Sequence, residues 1–376
     1  VEYGEEAQYI FSLCHRVFVV KIDFKTKPSL LMEKKSETSL LVIYTGGTIG
    51  MIKDQETGVL KPFNFDHLYD HMPALRLINT RIDNYCFDPV IDSSNMNPGH
   101  WQKLGQVIYD NYESYDGFVV LHGSDTMAYT ASALSFMLEN LNKPVILTGS
   151  QLPLGMIRTD GRENFITAIE IAAAYEDDTP LVPEVAIYFE NQLMRGNRTT
   201  KYNAENFEAF RSPNYPSLAE AGVYIRYHKN DLRKPNFKKL KFRSKMDTNV
   251  GVLKLIPGLS QNFVRSVLQT KDLKALVLET YGSGNAPTDA WFLQMLAEAI
   301  SGGLLILNVT QCLGGAVEME KYQTGIALKN IGVIGGADIT TEAAITKLMY
   351  LLANTHKSDD IIPLLLTSLR GEITTH

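Results

Sequence analysis

Cysteine is nearly absent from this 376-residue chain. Cys14, Cys86 and Cys312 are too few and too scattered for a disulfide framework or a zinc cage, which points to a reducing compartment. Long apolar runs are missing too. The longest, at 40–44, 145–148 and 304–309, fall far short of the roughly 18 residues a membrane-spanning helix needs. Positive charge is not in excess: 36 Lys plus Arg against 42 Asp plus Glu leave a formal charge of −6. That balance offers no general attraction for nucleic acid or an anionic membrane. Residues 1–31 lack the basic start, apolar core and small-residue cleavage site of a secretory leader. These absences exclude a collagen, a coiled coil, a disulfide scaffold and a membrane protein. What remains, at 45% hydrophobic and 21% charged residues, is a globular chain long enough for two or three domains.

Apolar runs alternate with helical patterns, as in a parallel sheet wrapped by helices. Strands are expected at 39–44, 86–91, 117–122, 144–148 and 184–189, and then at 250–256, 274–280, 303–309 and 331–334. Within 126–140, Met127, Ala131, Leu134, Met137 and Leu138 recur at helical spacing and predict one buried stripe. Asp160 followed by Glu163 reads as the N-cap of the next helix, close to a capping box. The stretch 224–248 is polar and basic and contains Pro235, which marks a connection between domains. The expected division is an N-terminal extension over 1–31, either a start-site artefact or disordered or loosely packed, the rival reading of its β-like run at 17–22 being a real extra strand and turn. A catalytic domain over 38–223, a linker over 224–248 and a second domain over 249–376 follow it.

Polar loops recur where the predicted strands end. Thr45-Gly46-Gly47-Thr48-Ile49-Gly50 follows the first strand, and its paired glycines let backbone come close to a ligand. The spacing fits neither G-x-G-x-x-G nor a P-loop, so a nucleotide role is disfavoured; the hydroxyls of Thr45 and Thr48 suggest a nucleophile, although a threonine after glycines is more often a turn residue. His122-Gly123-Ser124-Asp125-Thr126-Met127 is a strand-to-helix turn placing a hydroxyl beside a carboxylate. Either Ser124 or Asp125 can also serve simply as the helix N-cap, and His122 reads as a satisfied strand-end histidine. Arg195-Gly196-Asn197-Arg198-Thr199-Thr200-Lys201 supplies a lysine, and hydroxyl–lysine pairs are known variants of the serine–histidine arrangement. Asp92-Ser93-Ser94-Asn95-Met96 and Tyr281-Gly282-Ser283-Gly284-Asn285-Ala286-Pro287 are further polar loops. No His/Cys/Asp/Glu spacing resembles a metal site.

Together with Thr148-Gly149-Ser150-Gln151, these motifs resemble the bacterial-type L-asparaginases, in particular the cytoplasmic type I branch, over about residues 39–369. The resemblance implies an α/β fold of two domains: a larger N-terminal doubly wound, flavodoxin-like sheet and a smaller C-terminal Rossmann-like α/β domain. It implies hydrolysis of L-asparagine to L-aspartate and ammonia without metal or cofactor, with minor glutaminase activity, by a homodimer or homotetramer. Thr48 is then the nucleophile that forms an acyl-enzyme. Ser124, Asp125 and Lys201 form the second catalytic group, with Lys201 moving the proton. Gly47, Asp92, Ser93, Ser94, Gly123 and Ser150 surround the substrate, and Asn285 approaches the site of the partner subunit. The chain departs from the family pattern at Ser124, where a threonine is usual, and around residues 58–62, which lack the usual tyrosine. Tyr322 is the candidate replacement for that phenol.

Two other functions compete. An amidotransferase subunit of the same superfamily would carry a further N-terminal domain and a basic tRNA face, and neither is evident. A non-catalytic amino-acid sensor would have no use for Lys201 as a base.

Overall fold

A computed structural model describes residues 11–13, 16–18, 37–53, 60–62, 72–355 and 360–375. Residues 1–37 and 38–376 form separate units. In the first unit, Phe11–Leu13 pairs antiparallel with Arg16–Phe18, and the expectations for the rest of 1–31 lie outside the described residues. Gly58 and Val59 also lie outside them, whereas Leu60–Pro62 pairs with Met51–Lys53.

The second unit begins with strand β1, Thr38–Tyr44. Its alternate residues serve opposite faces. Leu40, Val42 and Tyr44 join one core cluster, while Leu41 and Ile43 join another. Burial on both faces is why the segment reads as an unbroken apolar run. The sheet continues with β2 (Thr80–Cys86), β3 (Gly117–Leu121), β4 (Val145–Thr148), β5 (Val185–Phe189), β6 (Gln192–Arg195), β7 (Ala219–Ala221) and β8 (Ile225–Tyr227). Its spatial order is β8-β7-β6-β5-β4-β3-β1-β2. The strands from β2 to β5 are parallel, and β6, β7 and β8 add an antiparallel edge.

Helices α1 (Pro98–Asp110) and α2 (Met127–Met137) cover one face of this sheet. Helix α3 (Gly161–Ala172) covers the other. The crossovers β3-α2-β4 and β4-α3-β5 step the same way along the sheet over opposite faces. They are therefore of opposite hand, and one departs from the right-handed rule.

The smaller second sheet is wholly parallel: β9 (Val250–Lys254), β10 (Ala275–Thr280), β11 (Leu305–Thr310) and β12 (Ile334–Gly335), in that spatial order. Helices α4 (Gln261–Leu268), α5 (Ala290–Ser301) and α6 (Gln323–Asn330) pack on one face. Helix α7 (Thr341–Asn354) packs on the other and also meets α2, where Phe136 stacks on Tyr350 with ring centroids 6.0 Å apart.

Four local expectations change. The strand expected at 86–91 lies earlier, at Thr80–Cys86. It is the sheet edge, half exposed, with Arg81, Asp83 and Asn84 interrupting its apolar residues, so no apolar run announces it. Pro89 lacks the N–H that a ladder needs. Helix α2 is buried all round rather than along one stripe, because it lies between the first sheet and α7. Asp160 does not cap α3 through its side chain; its carboxylate accepts from the amides of Gln151 at 2.9 Å and Leu152 at 3.1 Å instead. The stretch 224–248 contributes β8 to the first sheet, and Lys241–Phe242 pairs with Leu138–Glu139.

Candidate active site

Parallel order β2-β1-β3-β4-β5 reverses between β1 and β3, which is where an open α/β sheet leaves a crevice at its carboxyl edge. The loops after those two strands meet there. Gly47 has φ +88°, and a Cβ on it would stand 2.5 Å from Gly123 Cα. A Cβ on Gly123 would in turn collide with the Ser93 hydroxyl. Glycine is therefore required at both positions by close approach, and at Gly47 by backbone conformation as well. The abutting glycines bring together the residues that follow them, Thr48 and Ser124.

The floor is fixed by hydrogen bonds. The Thr45 hydroxyl and amide both donate to Leu121 O at 3.0 Å, which ties the loop after β1 to the end of β3. Thr45 is thereby committed to structure. Thr48 opens a short 3-10 turn, is half-buried, and makes no side-chain hydrogen bond among the described residues. The Tyr44 phenol donates to Gly47 O at 3.3 Å from below, and burial pushes its pKa up to about 12. His122 is completely buried. Its Nδ1 donates to Gly123 O at 2.7 Å, and its Nε2 accepts at 2.9 Å from the Thr130 hydroxyl, whose oxygen accepts from Trp101 at 3.0 Å. Burial pushes the His122 pKa down to about 4, partly opposed by the Gly123 carbonyl, so the ring is neutral near pH 7.

The reactive groups converge above this floor. Lys201 Nζ donates to Ser124 Oγ at 2.9 Å and to Asp125 Oδ1 at 2.8 Å. The Asp125 carboxylate is largely exposed at the mouth, whereas Lys201 is mostly covered. Ser93 is buried, and its carbonyl accepts from the Thr126 hydroxyl at 2.7 Å. Asp92 accepts from the Ser94 amide at 2.9 Å and hydroxyl at 2.8 Å, and these bonds hold its pKa below the usual value. Ser150 is buried with its hydroxyl on Leu152 O at 2.6 Å, and Gly149 before it abuts the His122 carbonyl. One crevice therefore gathers Gly47, Thr48, Ser93, Gly123, Ser124, Asp125 and Lys201, with Asp92, Ser94 and Ser150 on its margins.

Two expected site residues lie in the second domain. Asn285 accepts from the Thr324 hydroxyl at 2.6 Å. Tyr322 precedes α6 and is half exposed. Among the described residues neither is hydrogen-bonded to Thr48, Ser124, Asp125 or Lys201. A cavity of about 410 Å³ between α4 and α5, lined by Arg265, Trp291, Gln294 and Glu298, is remote from these groups and holds no hydroxyl–lysine pair. No group of three or more His, Cys, Asp or Glu side chains among the described residues is placed to hold a metal. No helix among them is long and apolar enough to cross a membrane.

Sequence reasoning missed what fastens the lysine loop from behind. Arg198, almost fully buried, pairs with Asp338 at 3.0 Å and donates to Thr374 at 2.7 Å. Thr200 donates to Glu342 at 2.6 Å. These partners lie 140 to 176 residues away in the chain, so no local pattern announces them.

Comparison with known proteins agrees with the geometry. The family model "Asparaginase, N-terminal" matches residues 39–233, and "Glutaminase/Asparaginase C-terminal domain" matches residues 249–364. The chain is 45% identical to L-asparaginase 1 of Escherichia coli, covering 91% of this chain and 99% of that protein. It is 45% identical to the human 60 kDa lysophospholipase, covering 90% of this chain and 62% of that protein. The solved structure of L-asparaginase I from Vibrio cholerae superposes with a TM-score of 0.82 at 41% identity, covering 90% of this chain and all of that one. Two family models that account for both sheets, and relatives of this identity along nearly the whole chain, place it in the asparaginase family.

Proposed function

We propose that the protein hydrolyses the side-chain amide of L-asparagine to L-aspartate and ammonia, through an acyl-enzyme on Thr48. The observation that carries this reading is the placement of Lys201 Nζ between Ser124 Oγ and Asp125 Oδ1. An amide is a poor electrophile, so a hydroxyl nucleophile needs both a route for its proton and stabilisation of the developing oxyanion. Asp125 fixes the lysine beside Ser124, so a proton can pass between Nζ and Oγ across 2.9 Å. Backbone amides of the abutting glycine loops serve the oxyanion. The exposed Asp125 carboxylate receives the substrate ammonium, Asp92 and the loop Ser93-Ser94 place the carboxylate end, and Ser150 lines the amide end. Serine at position 124 keeps the hydroxyl but lacks the methyl that stiffens a threonine rotamer.

The enzyme works in the cytoplasm as a homodimer or homotetramer, with Asn285 approaching the site of the partner subunit. Tyr322 supplies the phenol missing from residues 58–62. Glutamine carries one more methylene, which packing discriminates by about 10- to 200-fold, so glutaminase activity is minor. The decisive measurement is ammonia release from L-asparagine by the purified protein, present in wild type and lost in Thr48→Ala and Lys201→Met. Equal kcat/KM for the two amides would sink the asparagine preference.

A further inference from the structure

Lys201 belongs to a two-residue strand, Thr200–Lys201, paired antiparallel with Phe210–Arg211. Neighbouring side chains on a strand point to opposite faces, so the direction of one dictates the direction of the other. Here Lys201 turns to Ser124 and Asp125, and Thr200 turns away to donate to Glu342 Oε1 at 2.6 Å. Glu342 sits in the first turn of α7 and is only 9% exposed. Burial raises its pKa, and the Thr200 hydroxyl bond opposes the rise. Its helix is seated firmly: Ala343 and Ala344 share a core cluster with Phe136 of α2, whose helix follows directly from Ser124 and Asp125. One rigid contact between the domains therefore joins both halves of the lysine–serine pair.

The other anchors of this loop act further from the lysine. Arg198 reaches Asp338 and Thr374, and Asn197 donates to Arg370 O at 3.1 Å, three and four residues before Lys201. They hold the body of the loop, whereas the face of the strand is set at 200–201 itself, where Phe210, the cross-strand partner of Lys201, is buried against Phe189 and Thr200 bonds Glu342. A slip of one residue would turn Lys201 toward α7 and leave Ser124 facing Thr200.

We propose that Glu342, a residue of the second domain, is a positioning residue for the hydrolysis: by accepting the Thr200 hydrogen bond it holds Lys201 on the face that meets Ser124 and Asp125. This rests on the proposed role of Lys201. Glu342 touches no reacting atom and acts through Thr200.

The experiment measures kcat, KM and Tm for Glu342→Ala, Glu342→Gln, Thr200→Val and the double variant Glu342→Ala/Thr200→Val, with Lys201→Met as reference. Displacing a catalytic group by about 1 Å costs on the order of 100-fold, so Glu342→Ala and Thr200→Val are each expected to lower kcat by about 10- to 100-fold. KM should change much less than kcat, because Asp125 is the one proposed substrate-binding side chain bonded to Lys201 among the described residues. The amide oxygen of Glu342→Gln still accepts from Thr200, so that variant should retain activity within about threefold of wild type. The double variant should be no worse than the poorer single, since both remove the same bond. A folded Thr200→Val with wild-type kcat, additive losses in the double variant, or Glu342→Gln as impaired as Glu342→Ala would each overturn the inference. If Glu342→Ala fails to fold, Glu342→Gln and Thr200→Val still decide it. Activity surviving in Lys201→Met refutes the reading of the site itself. Its loss there alongside wild-type kcat in Thr200→Val refutes only the role of Glu342.

Discussion

Both domains lay parallel strands side by side and cover them with helices, yet their strand orders differ, and the site follows that difference. In the first sheet the order reverses between β1 and β3. The chain leaving β1 and the chain leaving β3 turn toward opposite faces, and the space between their loops fills with Thr48, Ser124, Asp125 and Lys201. In the second sheet the order is β9-β10-β11-β12, with α4, α5 and α6 on one face. No reversal opens a crevice there, and the free face is used to seat α7 against α2. The same building unit thus yields a site in one domain and a brace in the other.

Variants in each domain test that contrast. The largest expected effect is on chemistry: Thr48→Ala should lower kcat by at least about 10⁴-fold with Tm kept, because the proposed nucleophile is lost and little packing is. Steady-state kinetics beside a melting curve checks both halves. The second domain should answer in the other currency. Lys347 and Glu372 form a fully buried pair at 2.6 Å, and Glu372 also accepts from the amides of Leu369 and Arg370. Lys347→Met strands a buried carboxylate and should cost about 3–5 kcal/mol in denaturant unfolding, with kcat per folded molecule nearly unchanged. A kcat loss as large as that of Thr48→Ala would erase the division of labour.

A third variant tests the crevice itself. Gly47→Ala forces a Cβ against Gly123 at φ +88°, so it should cost about 1–3 kcal/mol and displace Thr48 enough to lower kcat on the order of 100-fold. His122 gives a pH signature confined to the first domain. Its folded pKa lies near 4, below the ordinary 6.5. Between those values the unfolded chain binds the proton and the native one does not. Its contribution is therefore fully present above about pH 6.5 and falls as pH drops toward 4, by at most on the order of 3 kcal/mol. Replacing His122 by glutamine should flatten this part of the stability–pH curve in urea titrations. The smallest effect belongs to Tyr322→Phe, expected to lower kcat several-fold, on the scale of one lost hydrogen bond. An unchanged kcat would remove Tyr322 from the site.

Much of this was legible in the residues. The glycine pair before Thr48, the turn at Gly123-Ser124-Asp125 and the lysine loop announced themselves by type and spacing, because glycine and short polar side chains are what a close backbone approach requires. Buried parallel strands were legible as apolar runs. Strand β2 was not, since at the sheet edge Arg81, Asp83 and Asn84 break up its apolar residues and the segment looks like loop. The carboxylate of Asp160 was read as a cap, but tertiary contact turned it to the amides of Gln151 and Leu152.

The residues alone singled out the short polar loops proposed to carry the chemistry and the strands that lie in the core, since both depend on local composition and on the two-residue period of a strand. Only the tertiary structure decided which loops meet. The order reversal, the opposite hands of the crossovers on either side of β4, and the bonds from Arg198 and Thr200 to partners 140 to 176 residues away are long-range choices. Pairings at that separation leave no local periodicity, and they arise where buried polar groups of one domain find partners only on the other.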